Sequence, residues 1–413
     1  MPPSPTGTAA PGPPSAPPRH VRAARNAVAV VFGLNGLAVA SWFARVPAAR
    51  EALGLSAGRL GLLLLALSAG SLLAMSTAGS VVHRLNPSRT TAGSTGLAAV
   101  GLVMLGVGVG AWPSVPLVAA GLAALGYGSG LCDVAMNVEA ALVERRLGRT
   151  VMPRFHAAWS LGTVSGAGLG AGSVQVGLPV AAHLGVVALG VLLGTLLAVR
   201  FFLGAGGEED PARRAAAQTG SGRDSGTLRA WREPRTLCIG LLVLVMAFTE
   251  GAANDWIALA FVDGYGFGEA AGAAVFGVFV ASMTLGRTVG TVALDRWGRV
   301  PVLFVTIGLA VIGVTITTLV PSGSVALAGV VLWGLGASLG FPVGMSAAAD
   351  DEGRAPARVS VVATIGYTAF LAGPPLVGLL GDRVGVLRAL LVVPLLLVPA
   401  LALVPATRPP ADR

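Results

Sequence analysis

Residues 270–294, AAGAAVFGVFVASMTLGRTVGTVAL, and residues 300–321, VPVLFVTIGLAVIGVTITTLVP, are separated only by Asp295-Arg296-Trp297-Gly298-Arg299. Both runs are apolar almost throughout, and together they hold a single charged side chain, Arg287. A helix rises about 1.5 Å per residue, so about 20 such residues span the roughly 30 Å hydrocarbon layer of a bilayer. The stretch therefore reads as two membrane-crossing helices joined by a short charged turn.

The rest of the chain repeats this pattern. Of 413 residues, 54% are hydrophobic and 11% charged, and the mean hydropathy is +0.78. That leaves too little polar surface to solvate a globule of this size. The 28 basic residues, all Arg, give a net charge of +9. They fall in short clusters between apolar runs and form no single basic face, which excludes a nucleic-acid partner. Cys132 and Cys238 lie inside apolar runs with no Cys-x-x-Cys pair, so neither a disulfide framework nor a cysteine metal site is expected.

Twelve spans are expected, at 26–46, 58–82, 92–112, 115–140, 156–177, 179–203, 236–262, 270–294, 300–321, 324–347, 358–381 and 384–406. Pro47, Pro87, Pro113, Pro179, Pro234 and Pro301 punctuate the breaks. The fold class is an all-α integral membrane protein of two six-helix halves. Residues 1–25 form a disordered tail, 26–203 the first half, 204–235 a linker, 236–406 the second half and 407–413 a short tail. Three Arg residues before the first span resemble a signal peptide, but eleven further spans make it an uncleaved helix. With the N-terminus inside, 22 Arg lie on the inner side and five on the outer. By the positive-inside bias both termini are expected in the cytoplasm of a bacterial-type plasma (inner) membrane.

The halves echo each other. Gly126-x-Gly128 matches Gly334-x-Gly336, and Trp159-Ser160 matches Tyr367-Thr368, both at an offset of 208. The loops His83-Arg84-Leu85-Asn86 and Asp295-Arg296-Trp297-Gly298 correspond at an offset of 212. Two parallel six-helix repeats joined by a linker is a transporter plan.

After residue 25 the chain resembles the major facilitator superfamily over nearly its whole length. Leu294-Asp295-Arg296-Trp297-Gly298-Arg299 is similar to that superfamily's Asp-Arg-x-Gly-Arg signature. Thr291 replaces its expected Gly, and His83 replaces the Asp of the first-half copy. The run Cys132-Asp133-Val134-Ala135-Met136-Asn137 resembles the span 4 acid and Asn of the fucose-permease-like branch. A poorly characterised permease subgroup is resembled in Phe155-His156, Trp159-Ser160-Leu161-Gly162, Glu250-Gly251-Ala252, Asp255-Trp256, Gly286-Arg287 and Gly373-Pro374-Pro375. The resemblance implies transport by two rocking halves and names no substrate. Span 1 lacks the branch's Asp, so its full sugar site does not carry over. Span 5 lacks the Gly-Pro element of the superfamily's antiporters, which weighs against drug efflux.

An ionisable group within a span costs about 2.5–3.5 kcal/mol on insertion scales and usually faces a cavity or a partner. Asp133 is read as a proton-coupling or substrate group, or else as a structural acid satisfied by neighbouring helices. Asn137, one turn on, binds a polar substrate or holds Asp133. Glu250 and Asn254 share a face of span 7 and are expected at the cavity. Asp255, rotated away, is expected to pair at the outer gate; fastening of helices is the bland alternative for both acids. Arg287 needs an acid partner, and Glu250 and Asp133 both suit it by depth. His156 opens span 5 as a proton-entry or packing residue. His183 is expected to be peripheral. Trp159 and Trp256 could stack on a sugar ring, whereas Trp42, Trp112 and Trp333 suit packing or the membrane interface.

Asp295, Arg296 and Arg299 are expected to latch neighbouring helix ends, and the resemblance to the superfamily implies that this loop gates the switch between states. Gly126, Gly128 and Gly130 suit close helix packing, and Gly373-Pro374-Pro375 a bend in span 11. No ATP-binding loop, metalloprotease motif or nucleophile elbow is present, so no enzyme and no cofactor is expected, and a proton gradient supplies the energy. The expected partners are the lipid bilayer and a small solute, with the protein acting as a monomer. Proton symport of a small polar, sugar-like solute leads. The alternatives are proton-driven efflux of an amphipathic compound and a non-transporting sensor.

Overall fold

The computed structural model describes residues 18–147, 151–203, 229–351 and 354–409, and among them there is helix but no strand. The first half holds α1 (Arg19–Phe43), the short α2 (Val46–Ala52), α3 (Ala57–Gly106), α4 (Val115–Leu147), α5 (Met152–Gln175) and α6 (Val180–Ala198). The second begins with α7 (Pro234–Tyr265), α8 (Glu269–Trp297), α9 (Arg299–Leu319), α10 (Gly323–Ala337) and α11 (Gly340–Ala348). It ends with α12 (Ala355–Val384), α13 (Val386–Ala389) and α14 (Val392–Ala400). Helix α1 starts at Arg19, so residues 19–25, expected in the disordered tail, are its opening turns. Their backbone completes its hydrogen bonds within the helix, which can extend past the apolar layer. The expected tail over residues 1–17, linker residues 204–228 and residues 410–413 lie outside the described residues.

By length and composition, 10 segments qualify as membrane spans among the described residues. The remaining two crossings have clear physical origins. The Ala57–Ala111 segment has 55 residues, enough for about 80 Å of helix. It breaks at Asn86 (φ 65°, ψ 163°), because Pro87 excludes helical backbone at the residue before it. The Asn86 side chain then caps the second arm, accepting from Arg89 N at 3.0 Å. The two arms flank α4 in opposite senses: Leu67 and Ser71 meet Gly126 and Gly130, whereas Gly101 and Ala98 meet Gly121 and Gly128. They are therefore antiparallel crossings. Helix α5 has 24 residues, but its Gly, Ser and His content leaves it less apolar than its neighbours.

The internal repeat is visible in the packing. A Cβ at Gly126 would strike Leu67 O, and one at Gly334 would strike Phe279 O. Gly128 backs onto Ser94 O and Ala98 N, and Gly336 onto Thr306 O and Ala310 N. Each glycine pair carries the 208-residue offset, and each pair of facing residues carries the 212-residue offset, already present in the sequence. The same helix triplet, α4 between the arms of α3 and α10 between α8 and α9, is thus built twice.

The helix ends form two faces. One is rich in Arg, with Arg19, Arg22, Arg25, Arg84, Arg89, Arg145, Arg146, Arg154, Arg296, Arg299, Arg354 and Arg358; the other carries the left-handed turns Gly54, Gly266 and Gly385. The halves are bound together near the second face. Arg50 pairs with Asp263, and Ser56 Oγ donates to Asp382 Oδ2 at 3.0 Å. Gly61 packs on Pro374 O, and the Phe43 and Phe276 rings lie 6.0 Å apart. Pro374 and Pro375 sit inside α12, which continues through them as one helix. The crowding there is interhelical: α3 backs onto the proline carbonyl.

Candidate functional site

A cavity of about 310 Å³ lies between the halves. Asn35 and Phe43 of α1, Ser68 and Ser71 of α3, and Ser129 and Asp133 of α4 reach it from the first half, with Trp159 of α5. The second half supplies Gly251, Asn254 and Asp255 of α7, with Tyr367 and Phe370 of α12. On α7 the lining positions i, i+3 and i+4 share one helical face. Trp159 and Tyr367, related by the 208-residue offset, sit on opposite walls.

Asp133 is half-buried, and its carboxylate accepts from Asn137 Nδ2 at 3.3 Å. The same amide donates to Asp133 O at 2.8 Å, so Asn137 holds Asp133 and is not among the lining residues. Asp255 also lines the cavity, and among the described residues it has no hydrogen bond or ion pair. Asp255 does not make the ion pair expected of it; Asp263, two turns on, pairs with Arg50 instead. Glu250, expected at the cavity with Asn254, turns toward α8, where Arg287 Nη2 donates to Glu250 Oε2 at 3.0 Å. Arg287 Nε also donates to Ser338 O at 3.3 Å, a carbonyl at the break between α10 and α11.

His156 is exposed, packs edge-on against Phe32 at 5.3 Å and lies within electrostatic reach of Arg287 across the two halves. The Arg287 side chain is itself 30% exposed. Neither borders the cavity; both lie between it and the Arg-rich face. Trp256, expected as a stacking platform, is fully buried against α12 at Gly378. One residue past Asp255 is about 100° of helix rotation, which takes Trp256 off the cavity face. Trp42 and Trp333 are buried and Trp112 is exposed. His183 is not peripheral. It is buried, and its Nδ1 accepts from the buried Arg45 at 3.1 Å.

The expected latch is divided. Arg299 donates to Asp350 at 2.7 Å and to Ser346 Oγ at 3.0 Å, and Asp350 also takes Arg235 at 2.7 Å. Arg296 instead lies over the Trp297 ring at 5.5 Å. Asp295 is exposed, with no hydrogen bond or ion pair among the described residues. These three Arg299 and Asp350 contacts tie α7, α9 and α11 within one half.

Sequence reasoning missed Asn35, which accepts from Ser129 Oγ at 2.8 Å, and it missed Phe43 and Phe370 at the cavity. Tyr367 had a usable signal, because its repeat mate Trp159 was already a candidate. No group of three or more His, Cys, Asp or Glu able to hold a metal occurs among the described residues.

The Major Facilitator Superfamily signature matches residues 28–354. An uncharacterised MFS-type transporter of Yersinia pestis is 30% identical over 357 residues, covering 86% of this chain and 88% of that protein. An uncharacterised transporter of Sinorhizobium fredii is 31% identical over 362 residues, covering 86% and 90%. Among solved structures, a bacterial homologue of the human lysosomal transporter Spinster superposes with a TM-score of 0.74 at 15% identity, over 94% of this chain and 97% of that one. A nucleoside transporter gives 0.73 at 13%, over 93% and 98%, and the E. coli fucose:proton symporter 0.58 at 17%, over 94% and 100%. Twelve crossings in two pseudo-symmetric halves around a shared cavity agree with all of these, and the chain belongs to the Major Facilitator Superfamily of membrane transporters and is not an enzyme.

Proposed function

We propose that this transporter carries a small polar solute by alternating access, coupled to proton symport. The single observation that carries the reading is the placement of Asp133 in a cavity built from both halves and bound together at one face. A carboxyl whose access to water changes as the halves rock can take up a proton on one side and release it on the other. Asn35, Ser129 and Asn254 supply hydrogen-bonding groups, and Trp159 and Tyr367 supply flat faces for a ring.

The Arg-rich face is read as cytoplasmic by the positive-inside bias. Both termini then lie inside a bacterial-type plasma membrane, and the conformation is open inward. The Glu250–Arg287 pair stands beside the inward path. Protonation of Glu250 would free Arg287 and supply a coupling step. The energy source is the proton gradient, no cofactor takes part, and the protein works as a monomer in the bilayer.

Uptake into proteoliposomes with an imposed proton gradient tests this reading. Asp133→Asn is expected to abolish uphill, proton-dependent uptake while leaving downhill exchange measurable. Undiminished uphill uptake in that variant would sink the coupling claim. Val39, Leu67, Leu72 and Met75 also line the cavity, and they favour a second reading, proton-driven efflux of an amphipathic compound. Greater sensitivity of a deletion strain to lipophilic compounds would advance it.

A further inference from the structure

We propose that the solute carries a protonated amine and that Asp255, at the closed end of the cavity, is its counter-ion. The inference deepens the transport reading above and rests on it. The ionisable groups that line the cavity are two carboxyls and one phenol, Asp133, Asp255 and Tyr367, with no Arg or His among them. The nearby intramembrane cation is already committed, since Arg287 is held by Glu250 and by Ser338 O.

Asp255 is ten residues from the end of α7 at the bound face, and Asp133 is 18 residues from the corresponding end of α4. At about 1.5 Å per residue, this places Asp255 roughly 12 Å nearer the closed end. The two carboxyls therefore occupy different levels of one cavity. Asp133 has the Asn137 amide, while Asp255 has no partner among the described residues. A carboxylate removed from water needs a compensating cation or a proton.

The surroundings suit an ammonium better than a metal ion. Phe43 and Phe370 line the cavity with Asp255, and aromatic faces attract an organic cation. A bare metal ion would instead need several oxygen ligands close together, and the described residues hold no such cluster. The hydroxyl and amide groups of Ser68, Asn35 and Asn254 match a hydroxylated body attached to the amine. An anionic solute is disfavoured by both carboxylates. With the amine on Asp255 and the transported proton on Asp133, each acid serves one cation, so the two loads move together.

The test uses the purified full-length protein in detergent and matched ligands: glucosamine against glucose and N-acetylglucosamine, and ethanolamine against ethylene glycol. Thermal stabilisation is read as a function of ligand concentration. At least one amine should bind ten times or more tightly than its neutral counterpart. Asp255→Asn should weaken that amine at least tenfold, and Asp255→Glu should restore most of the difference. Equal binding of amine and neutral partner by the unmodified protein overturns the inference, and so does the absence of binding by both amines. An Asp255→Asn variant that melts normally and binds the amine unchanged overturns it as well. Proteoliposome uptake separates the two readings. An amine that binds but is never transported would defeat the transport reading alone, whereas transport of a neutral sugar without amine preference would defeat the amine inference alone.

Discussion

Arg287 of α8 and Glu250 of α7 form an ion pair at 3.0 Å, and the same guanidinium reaches Ser338 O where α10 gives way to α11. One half-buried cation thereby joins three elements of the second half. The pair retains 30% and 15% side-chain exposure, so it is not fully withdrawn from its surroundings.

Removing one partner strands the other. Glu250→Gln is expected to destabilise the protein by about 2 kcal/mol, below the roughly 3–5 kcal/mol of a fully buried broken pair because of that exposure. Glu250→Gln with Arg287→Met should recover more than half of the loss. Thermal unfolding of the two single variants and the double variant completes the cycle.

The repeat glycines permit close backbone approach, and their substitution should show it. Gly126→Ala and Gly334→Ala each drive a methyl group into a carbonyl of the facing helix and should cost about 1–3 kcal/mol. Gly168, also helical, has open space where its Cβ would lie, so Gly168→Ala should be neutral or stabilise by up to about 1 kcal/mol. Melting temperatures compared across the three variants decide the point.

The clasp at the bound face should govern how often that face opens. An exposed ion pair contributes about 0.2–1 kcal/mol. Asp263→Asn is therefore expected to raise the open fraction by up to about fivefold. In a variant lacking Cys132 and Cys238, a cysteine replacing Phe43 would report the change through labelling by a membrane-impermeant maleimide added at that face. Unchanged labelling in Asp263→Asn would show that the clasp does not set the equilibrium.

Glu233, just ahead of α7, gives a pH signature outside the membrane. The hydrogen bond from Arg358 at 2.6 Å holds its carboxyl below the usual range, helped by Thr236 and Arg354. A depressed folded-state pKa stabilises the fold above the ordinary Glu value, and that stability is lost as pH falls through the folded value. The melting temperature of the unmodified protein should therefore drop more steeply under acid than that of Glu233→Gln. Parallel acid profiles would contradict this.

What was legible in the sequence follows from length and periodicity. Apolar runs such as 300–321 had to cross a bilayer, because nothing else buries so many apolar residues in a row. The offsets of 208 and 212 set which helices pack as equivalents, since Gly126 and Gly334 each occupy the position where two backbones touch. Twelve crossings in two matched halves were thus present in the chain itself. Tertiary structure alone decided which acid does what. Depth allowed Arg287 either Glu250 or Asp133, with a static Glu250 pair slightly favoured, and the packing of α7 against α8 brings Glu250 to it. Asp255 and Trp256 are neighbours in sequence, yet a 100° step of the helix puts one in the cavity and the other in the core. Depth in the membrane is a property of position along a helix and can be counted. The direction a side chain faces depends on how that helix is rotated against its neighbours, and only the assembled bundle sets the rotation.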